Sequence, residues 1–521
     1  MKLTNFQKGL VLFLAAFILL GGTLFVNRIL QADVFSKEEA QHALYSLWLY
    51  KDIRGFDLAN FWNDTQRQMF WPFFHSWIQS ASFLFLGVSY TSARILSLAI
   101  FFLTLLLMYI TSERLCPKSG WKIGVIASLL ALSSPIMLKY ATANTLEGLG
   151  ALIFLLAFYY YANCEQCKRT IDYVLLGVIM GLSLYTNYLY AYLMIPSFIV
   201  MTLGKLSPIT YEVIKLERKG EKAALPFFWW AYRKLIVLVV LAVFVAFWFF
   251  SSAFSRKIML LMQAIFRYSG GEMLPNVWQA LIYYPRVIVE SYTFSPWLGL
   301  LVLISLFLPF VAFQYREFGK LYTFIWTVII LATLTIPTKA VQFIYIVAPF
   351  MFMVTAAAVI HLAERLEKRW VVGMGLVICL PALLSLPKLA SAYFPDQPKE
   401  KMIQVLDYYR QNIRPRHSLA ASFNLQHLAS ETVAFHFWDW NAPVIADPII
   451  EPDEMLRSAD YLLGLEINNE ETAQQEVLDD SAYRWQAFLQ EKMRQGEIKE
   501  SSGRQFPELG VTAKIYQKVN R

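Results

Sequence analysis

The chain has 521 residues, 57% of them hydrophobic and 16% charged, whereas soluble globular domains carry roughly 25% charged residues. This excludes a water-soluble globular protein and predicts a mainly α, polytopic membrane protein. The net charge of +8 does not mark a nucleic-acid binder, because the basic residues come in short runs between apolar segments, as membrane topology requires. No basic platform interleaved with aromatic residues is present.

The first segment, "GLVLFLAAFILLGGTLFVNRIL" (9–30), has no acidic residue and no small-residue cleavage pattern after it. At roughly 20 residues it reads as a retained signal anchor that crosses the bilayer. A mixed stretch, 31–87, follows. Apolar runs then recur at 89–111, 123–139, 147–163, 173–187, 188–204, 234–253, 293–313, 321–336, 342–362 and 371–390. Together they predict about eleven transmembrane helices.

Lys and Arg collect in cytoplasmic loops. Lys2 and Lys8 precede the first run; Arg114, Lys118 and Lys122, then Lys168 and Arg169, occupy later loops. The longest such loop carries Lys205, Lys215, Arg218, Lys219, Lys222 and Arg233, and Arg316, Lys320, Arg365, Lys368 and Arg369 complete the series. Every second loop is basic, which predicts a multi-pass cell-membrane protein with a cytoplasmic amino terminus. The opposite, outer loops are short around 139–146 and 337–342, and long at 31–87 and 254–292.

"LSLPKLA" and "YFPDQPKE" mark the change to a polar region that topology places outside the membrane. The predicted division is a transmembrane domain, 1–392, and an extracytoplasmic α/β domain, 393–521. In the latter "KMIQVLDYYRQNI" and "AYRWQAFLQEKMRQG" have helical periodicity, while "SLAASF", "APVIA", "DYLLGLE" and "VTAKIYQK" read as strands. The outer domain has no cysteine and no Gly-rich phosphate loop. Of the four cysteines, Cys164 and Cys167 form a single CxxC, two short of a structural zinc set, and Cys116 and Cys379 are distant.

The first outer loop carries Asp33, Glu38, Glu39, Asp52, Arg54, Asp57, Asp64 and Arg67, then "MFWPFFHSWIQSASFLFLG". That last piece is aromatic with a polar notch at His75 and Gln79, which predicts a helix lying in the interface. Glu38 and Glu39 fall in the first turn of "KEEAQHALYSLWL", where the helix dipole favours negative charge.

These stretches resemble the GT-C glycosyltransferases, in the group of the protein O-mannosyltransferases and lipid A aminoarabinose transferases. In that family an Asp-Glu-Ala motif opens a helix in the first outer loop, a Pro-Pro-Leu-His-like segment follows, and a phrase like "fG.s..saR" leads into the second span. Glu38, Glu39 and Ala40, then Pro72 to His75, then Gly87 to Arg94 are similar to these. The likeness continues at Glu147, in "GVIMGLSLYTNYLY" and in "TKAVQFIYIVAPFMF", and covers roughly residues 1–360. Three positions depart from the pattern: Glu38 stands for the leading Asp, Asn187 for a Lys, and Gln342 for a basic residue.

The resemblance implies transfer of a sugar from a polyprenyl-phosphate carrier to an acceptor at the outer face of the membrane. Such a reaction needs a base, which the match assigns to Glu38 with Glu39 as helper, and Asp33 as the alternative. The leaving phosphate needs cations or hydrogen-bond donors: Lys339 first, then Lys139, Arg54 and Arg67, with His75 on the phosphate or sugar. Glu147 is assigned to binding the acceptor, to orienting a basic residue or to assisting the ionisation of Glu38. The lipid tail needs an apolar groove, for which 40 Phe, 28 Tyr and 15 Trp give ample material. The outer-loop carboxylates have the oxygen ligands for Mg²⁺ or Mn²⁺, although no compact cluster has ligand spacing, and no other cofactor is needed. The acceptor, whether protein, lipid or glycan, is not specified. Two competing readings are a lipid or sugar transporter or flippase, and a scaffold presenting the outer domain. The transporter predicts ionisable residues near span centres, whereas the clearest cluster here lies in a loop.

Overall fold

The computed structural model describes residues 4–68, 71–166, 169–218, 224–251, 254–266, 272–274, 276–307, 318–365, 385–395, 399–423, 425, 428–440, 443–446, 451–468 and 481–519. Helices dominate. In chain order they are α1 (Asn5–Leu24, continued by a π-helical turn to Ile29), α2 (Lys37–Arg54), α3 (Leu58–Arg67), α4 (Phe74–Leu86), α5 (Tyr90–Leu115), α6 (Gly120–Leu132) and α7 (Pro135–Ala141). Then come α8 (Glu147–Gln166), α9 (Thr170–Leu184), α10 (Tyr188–Arg218), α11 (Ala224–Ser251), α12 (Phe254–Phe266), α13 (Val277–Glu290), α14 (Pro296–Phe307), α15 (Phe318–Leu334) and α16 (Ala348–Arg365). The carboxy-terminal part adds α17 (Leu386–Tyr393), α18 (Met402–Asn412), α19 (Ser430–His436), α20 (Pro452–Ser458) and α21 (Ser481–Arg494).

Among the described residues, three helical stretches are long and apolar enough to cross a membrane on their own: Phe6–Ile29, Tyr90–Leu115 and Val341–Arg365. α6 and α7 make a fourth if the pair, bent by 78°, is one span. The bend has a local cause. Ser133 closes α6, the Ser134 side chain accepts from Met137 N–H, and Pro135 opens α7, where its missing N–H costs nothing. Thr170–Leu184, Tyr188–Leu203, Pro296–Phe307 and Phe318–Leu334 are shorter apolar helices. The sequence-based count of about eleven thus exceeds what helix length alone supports. The last predicted run lies outside the described residues up to 384, as do Cys167 and Cys379.

The chain divides into two compact units, one of Met1–Arg28, Leu58–Ile78 and Arg94–Pro395, the other of Ile29–Asp57, Gln79–Ala93 and Asp396–Arg521. The division runs through α4. The sequence reading put all of 31–87 with the transmembrane part, whereas 29–57 and 79–93 belong to the unit that holds the sheet. The physical reason is apolar burial: Val34 enters the core of the carboxy-terminal region with Val405, Leu406 and Leu462. Ala40, Ala43, Leu47 and Tyr50 of α2 pack with Phe83 and Phe435.

In the first unit a continuous core runs through α5, α6, α8, α10, α15 and α16. A close helix contact, α9 on α11, rests on glycines. A Cβ at Gly177 would stand 2.7 Å from the Leu238 carbonyl oxygen, and one at Gly181 2.7 Å from Val245 Cβ. The four-residue spacing puts both on one face, as in small-xxx-small helix pairs within membranes. A two-stranded antiparallel ribbon, β1 (Glu272–Met273) with β2 (Thr338–Lys339), sets Glu272 opposite Lys339 in register.

The second unit holds a five-stranded mixed sheet of order β4-β3-β5-β7-β6. Its strands are β3 (Leu419–Ala421), β4 (Val444–Ala446), β5 (Tyr461–Ile467), β6 (Ile498–Phe506) and β7 (Val511–Lys518). β3 runs parallel to β4 and β5, and β7 antiparallel to β5 and β6. The four strands read from sequence form, as do helices α18 and α21. β6 was missed because "IKESSGRQF" buries only its two ends. Such an edge strand has no apolar alternation and is specified by its partner instead of its own pattern.

Candidate active site

The helix start "SKEEA" is a capping box. The Ser36 side chain accepts from Glu39 N–H, and Glu39 Oε2 accepts from Ser36 N–H at 3.0 Å and from Ser36 Oγ at 3.2 Å. Glu39 is buried and Glu38 beside it is exposed. Lys51 and Arg54 close the last turn, complementing the dipole. Arg54 donates to the Tyr50 hydroxyl at 3.1 Å. Farther along the helix, Ser46 Oγ donates to Gln79 Oε1 at 2.6 Å.

Asp33 has a different task in the same unit. Its carboxylate accepts from Met402 N–H at 2.8 Å, from Ile403 N–H at 2.9 Å and from Val34 N–H at 2.8 Å. It therefore caps the first turn of α18 from 369 residues away in sequence and satisfies amides that the helix cannot. The "GVSYTSAR" phrase is also built into local structure. Gly87 ends α4 at φ +77°, a conformation that favours glycine. Ser89 and Ser92 exchange reciprocal 3.0 Å side-chain-to-backbone bonds at the start of α5.

The other proposed site residues belong to the first unit. Arg67 is exposed and pairs with Asp64 at 2.9 Å. His75 is fully buried, and burial pushes its pKa down to about 4, so the ring is neutral at pH 7. An aromatic group of Phe73, Trp77, Tyr185, Tyr188, Trp248 and Phe250 gathers at this end of α4. The chain is fixed there by Phe74 N–H donating to Tyr185 O at 2.9 Å and Trp77 Nε1 donating to Thr65 Oγ1 at 3.0 Å. Lys257 of α12, which sequence reading passed over, is fully buried and donates to Gln66 Oε1. Burial lowers its pKa to about 8, which leaves it mostly cationic at neutral pH.

A second polar group surrounds Glu147 at the start of α8. The carboxylate is within electrostatic reach of the hydroxyls of Tyr190 and Tyr345. Tyr140 meets Tyr345 edge to face at 4.9 Å between ring centroids, and exposed Lys139 stands 5.6 Å over the Tyr140 ring. Tyr292 interacts with Tyr140 and Tyr345 and donates to Val341 O at 2.8 Å. Gly150 lets the Tyr190 ring approach, since a Cβ there would lie 2.5 Å from it.

Lys339 is buried, and desolvation lowers its pKa. Its ammonium donates to Ala332 O at 3.2 Å and to Ile336 O, carbonyls at and beyond the end of α15 that no helical amide reaches. Of the residues proposed from sequence, then, Glu147 and Lys139 are joined through Tyr140 and Tyr345, while Glu38, Glu39, Asp33 and Arg54 belong to the other unit. The tyrosines were invisible as a group because they come from α7, α10, the α13–α14 turn and the segment before α16. Among the described residues no three His, Cys, Asp or Glu side chains gather in a metal-ligating cluster.

The family model described as dolichyl-phosphate-mannose-protein mannosyltransferase matches residues 71–215. No curated protein sequence matches the chain. Among solved structures, ArnT from Cupriavidus metallidurans bound to undecaprenyl phosphate is similar with a TM-score of 0.60 at 13% identity, over 97% of each chain. Its apo state gives 0.58 at 12% identity, again over 97% of each chain. The apo oligosaccharyltransferase of Archaeoglobus fulgidus gives 0.52 at 10% identity, over 91% of this chain and 71% of that one. At these identities the likeness establishes a shared fold. By that fold and by the matched segment, the chain resembles the GT-C membrane glycosyltransferases of the protein O-mannosyltransferase and aminoarabinose-transferase group.

Proposed function

We propose that the chain is a membrane glycosyltransferase that moves a hexose or pentose from a polyprenyl-phosphate carrier to an acceptor at the extracytoplasmic face. The observation that carries this reading is the coincidence of the mannosyltransferase match over 71–215 with a fold likeness spanning 97% of the chain to a protein crystallised with undecaprenyl phosphate.

In the proposed reaction an acceptor hydroxyl attacks the anomeric carbon and inverts it. The bond from that carbon to the carrier phosphate breaks, its electron pair leaves with the phosphate, and the acceptor proton passes to Glu38. Glu38 is favoured over Glu39 because Glu39 already holds the helix cap, and over Asp33 because that carboxylate accepts three backbone amides. Lys139 and Lys339 supply positive charge for the departing phosphate, with Arg54, Arg67 and the neutral His75 ring as further donors, and Glu147 with its tyrosines offers hydroxyl and carboxylate partners for sugar or acceptor. Mg²⁺ or Mn²⁺ is a further candidate requirement.

The test uses detergent-purified protein and a panel of polyprenyl-phosphate hexoses and pentoses, with and without EDTA. One donor should be consumed with inversion at the anomeric carbon. Glu38→Gln should lower turnover about 10²–10⁴-fold, the range typical of a lost general base. Loss of turnover in EDTA that Mg²⁺ or Mn²⁺ restores would assign the cation. Consumption of no donor overturns the reading, and wild-type turnover by Glu38→Gln removes Glu38 as base.

A further inference from the structure

In the unit that holds the sheet, a cavity of about 850 Å³ is lined chiefly by charged side chains: Asp453 and Arg457 of α20, Lys492 of α21, Gln495 and Glu497 of the following turn, and Lys518 at the end of β7. Its volume lies within the roughly 300–1,000 Å³ of small-ligand sites. Nothing in the sugar-transfer reading uses it.

The walls are fixed. Glu497 N–H donates to Lys492 O at 3.0 Å, Val519 N–H to Glu497 O at 2.9 Å, and Lys518 N–H to Asp460 O at 3.2 Å. The Lys492 ammonium bridges two walls, 3.1 Å from Asp453 and 3.3 Å from Glu497, with its side chain only 17% exposed. Lys518 Nζ donates to the Arg457 carbonyl at 3.2 Å, which holds that ammonium beside α20. No carboxylate of the described residues forms an ion pair with Arg457, which is exposed at the rim. The lining therefore has three cations, Arg457, Lys492 and Lys518, against two anions, Asp453 and Glu497, and is positive by one charge.

We propose that this cavity binds an anionic carbohydrate, a sugar bearing a carboxylate or phosphate. The anionic group would lie between Arg457 and Lys518, two charge-assisted donors of the lining. Sugar hydroxyls meet Asp453 and Glu497, which accept, and Gln495, which accepts and donates. A ligand that is anionic throughout would face the two carboxylates, and a neutral sugar would leave the rim cations unused. A sugar with a localised negative group matches both halves of the lining.

Calorimetric titration of the full-length protein in detergent tests this with three probes: maltotetraonate, which carries one carboxylate at its oxidised end, mannose 6-phosphate and neutral maltotetraose. The carboxylate probe, the phosphate probe or both should bind, with affinity falling as NaCl rises, and maltotetraose should not. The doubly substituted Arg457→Ser/Lys518→Ser protein should bind at least tenfold more weakly while consuming polyprenyl-phosphate sugar, where the wild type does, at an unchanged rate. Which anionic probe binds identifies the substituent. Binding of neither anionic probe, equal binding of the neutral one, or undiminished binding by the variant overturns the proposal. Because donor consumption is read separately, failure here is distinguishable from failure of the transferase reading.

Discussion

Adjacent glutamates at the start of α2 have different surroundings, and substitution can separate them. Gln serves at the third helical position of a capping box as well as Glu does. Glu39→Gln is therefore expected to keep the thermal unfolding midpoint, and Ser36→Ala to lower stability by about 1 kcal/mol, both read by thermal unfolding in detergent. If Glu38 is the base, Glu38→Gln loses turnover with no change in midpoint. The S-x-x-E spacing was present in the sequence, but the dipole argument alone did not say which carboxylate the cap would occupy. The bonds of Lys339 were not legible at all, because they depend on where α15 ends. A further expectation concerns His436, whose pKa burial pushes down to about 4, with Arg410 acting the same way and Asp439 opposing. Tyr90 lies 3.4 Å from Nδ1 and Asp407 3.5 Å from Nε2. Between the unfolded value near 6.5 and about 4 the unfolded chain binds the proton and the folded chain does not. Stability should thus fall with pH through that window, by up to about 3 kcal/mol from this group. Asp407, whose pKa burial raises, opposes the fall at its lower end. His436→Gln should flatten the dependence of the midpoint between pH 6.5 and 4.5, and an unchanged slope would refute the assignment.

Among the elements, α9 and α11 pack through the two glycines of "GVIMG", a stretch that sequence reading valued only for its likeness to a family motif. The structure gives it a physical task. Gly181→Leu must displace Val245 and is expected to cost about 1–3 kcal/mol, as overpacking does. Gly22 of α1 is the contrast, because a Cβ there meets nothing within 4 Å. Gly22→Ala should be neutral or stabilising by up to about 1 kcal/mol, the helix-propensity difference. Comparing the two unfolding midpoints tests whether contact or propensity governs each position. Helices with a one-sided or continuous apolar pattern were legible, as were strands with alternation. β6 was not, since its residues are chosen for solvent and its pairing comes from β7. The break between α6 and α7 was likewise missed, because hydropathy carries straight through Ser133, Ser134 and Pro135.

For the molecule as a whole, composition carried the membrane class, and the apolar runs located the helices. Division into units was less legible, because contacts between the first outer loop and residues past 396 are set by tertiary packing. The proposed orientation places the sheet outside the cell. Lys499→Cys, on exposed β6, should react with a membrane-impermeant maleimide in intact cells, whereas protection until lysis would invert the topology. Asp33→Asn removes the negative charge at the start of α18, and faster amide hydrogen exchange at Met402 and Ile403 should follow. That cap also has a consequence for biosynthesis. Asp33 and the apolar face of α2 leave the ribosome 369 residues before the helix that Asp33 holds, a wait of about 20–70 s at typical elongation rates. Throughout that interval the first outer loop lacks the carboxy-terminal part of its core. A chain interrupted before residue 396 would leave Val34 without the core it enters and Phe35 without Phe435, a ready target for membrane quality-control proteases.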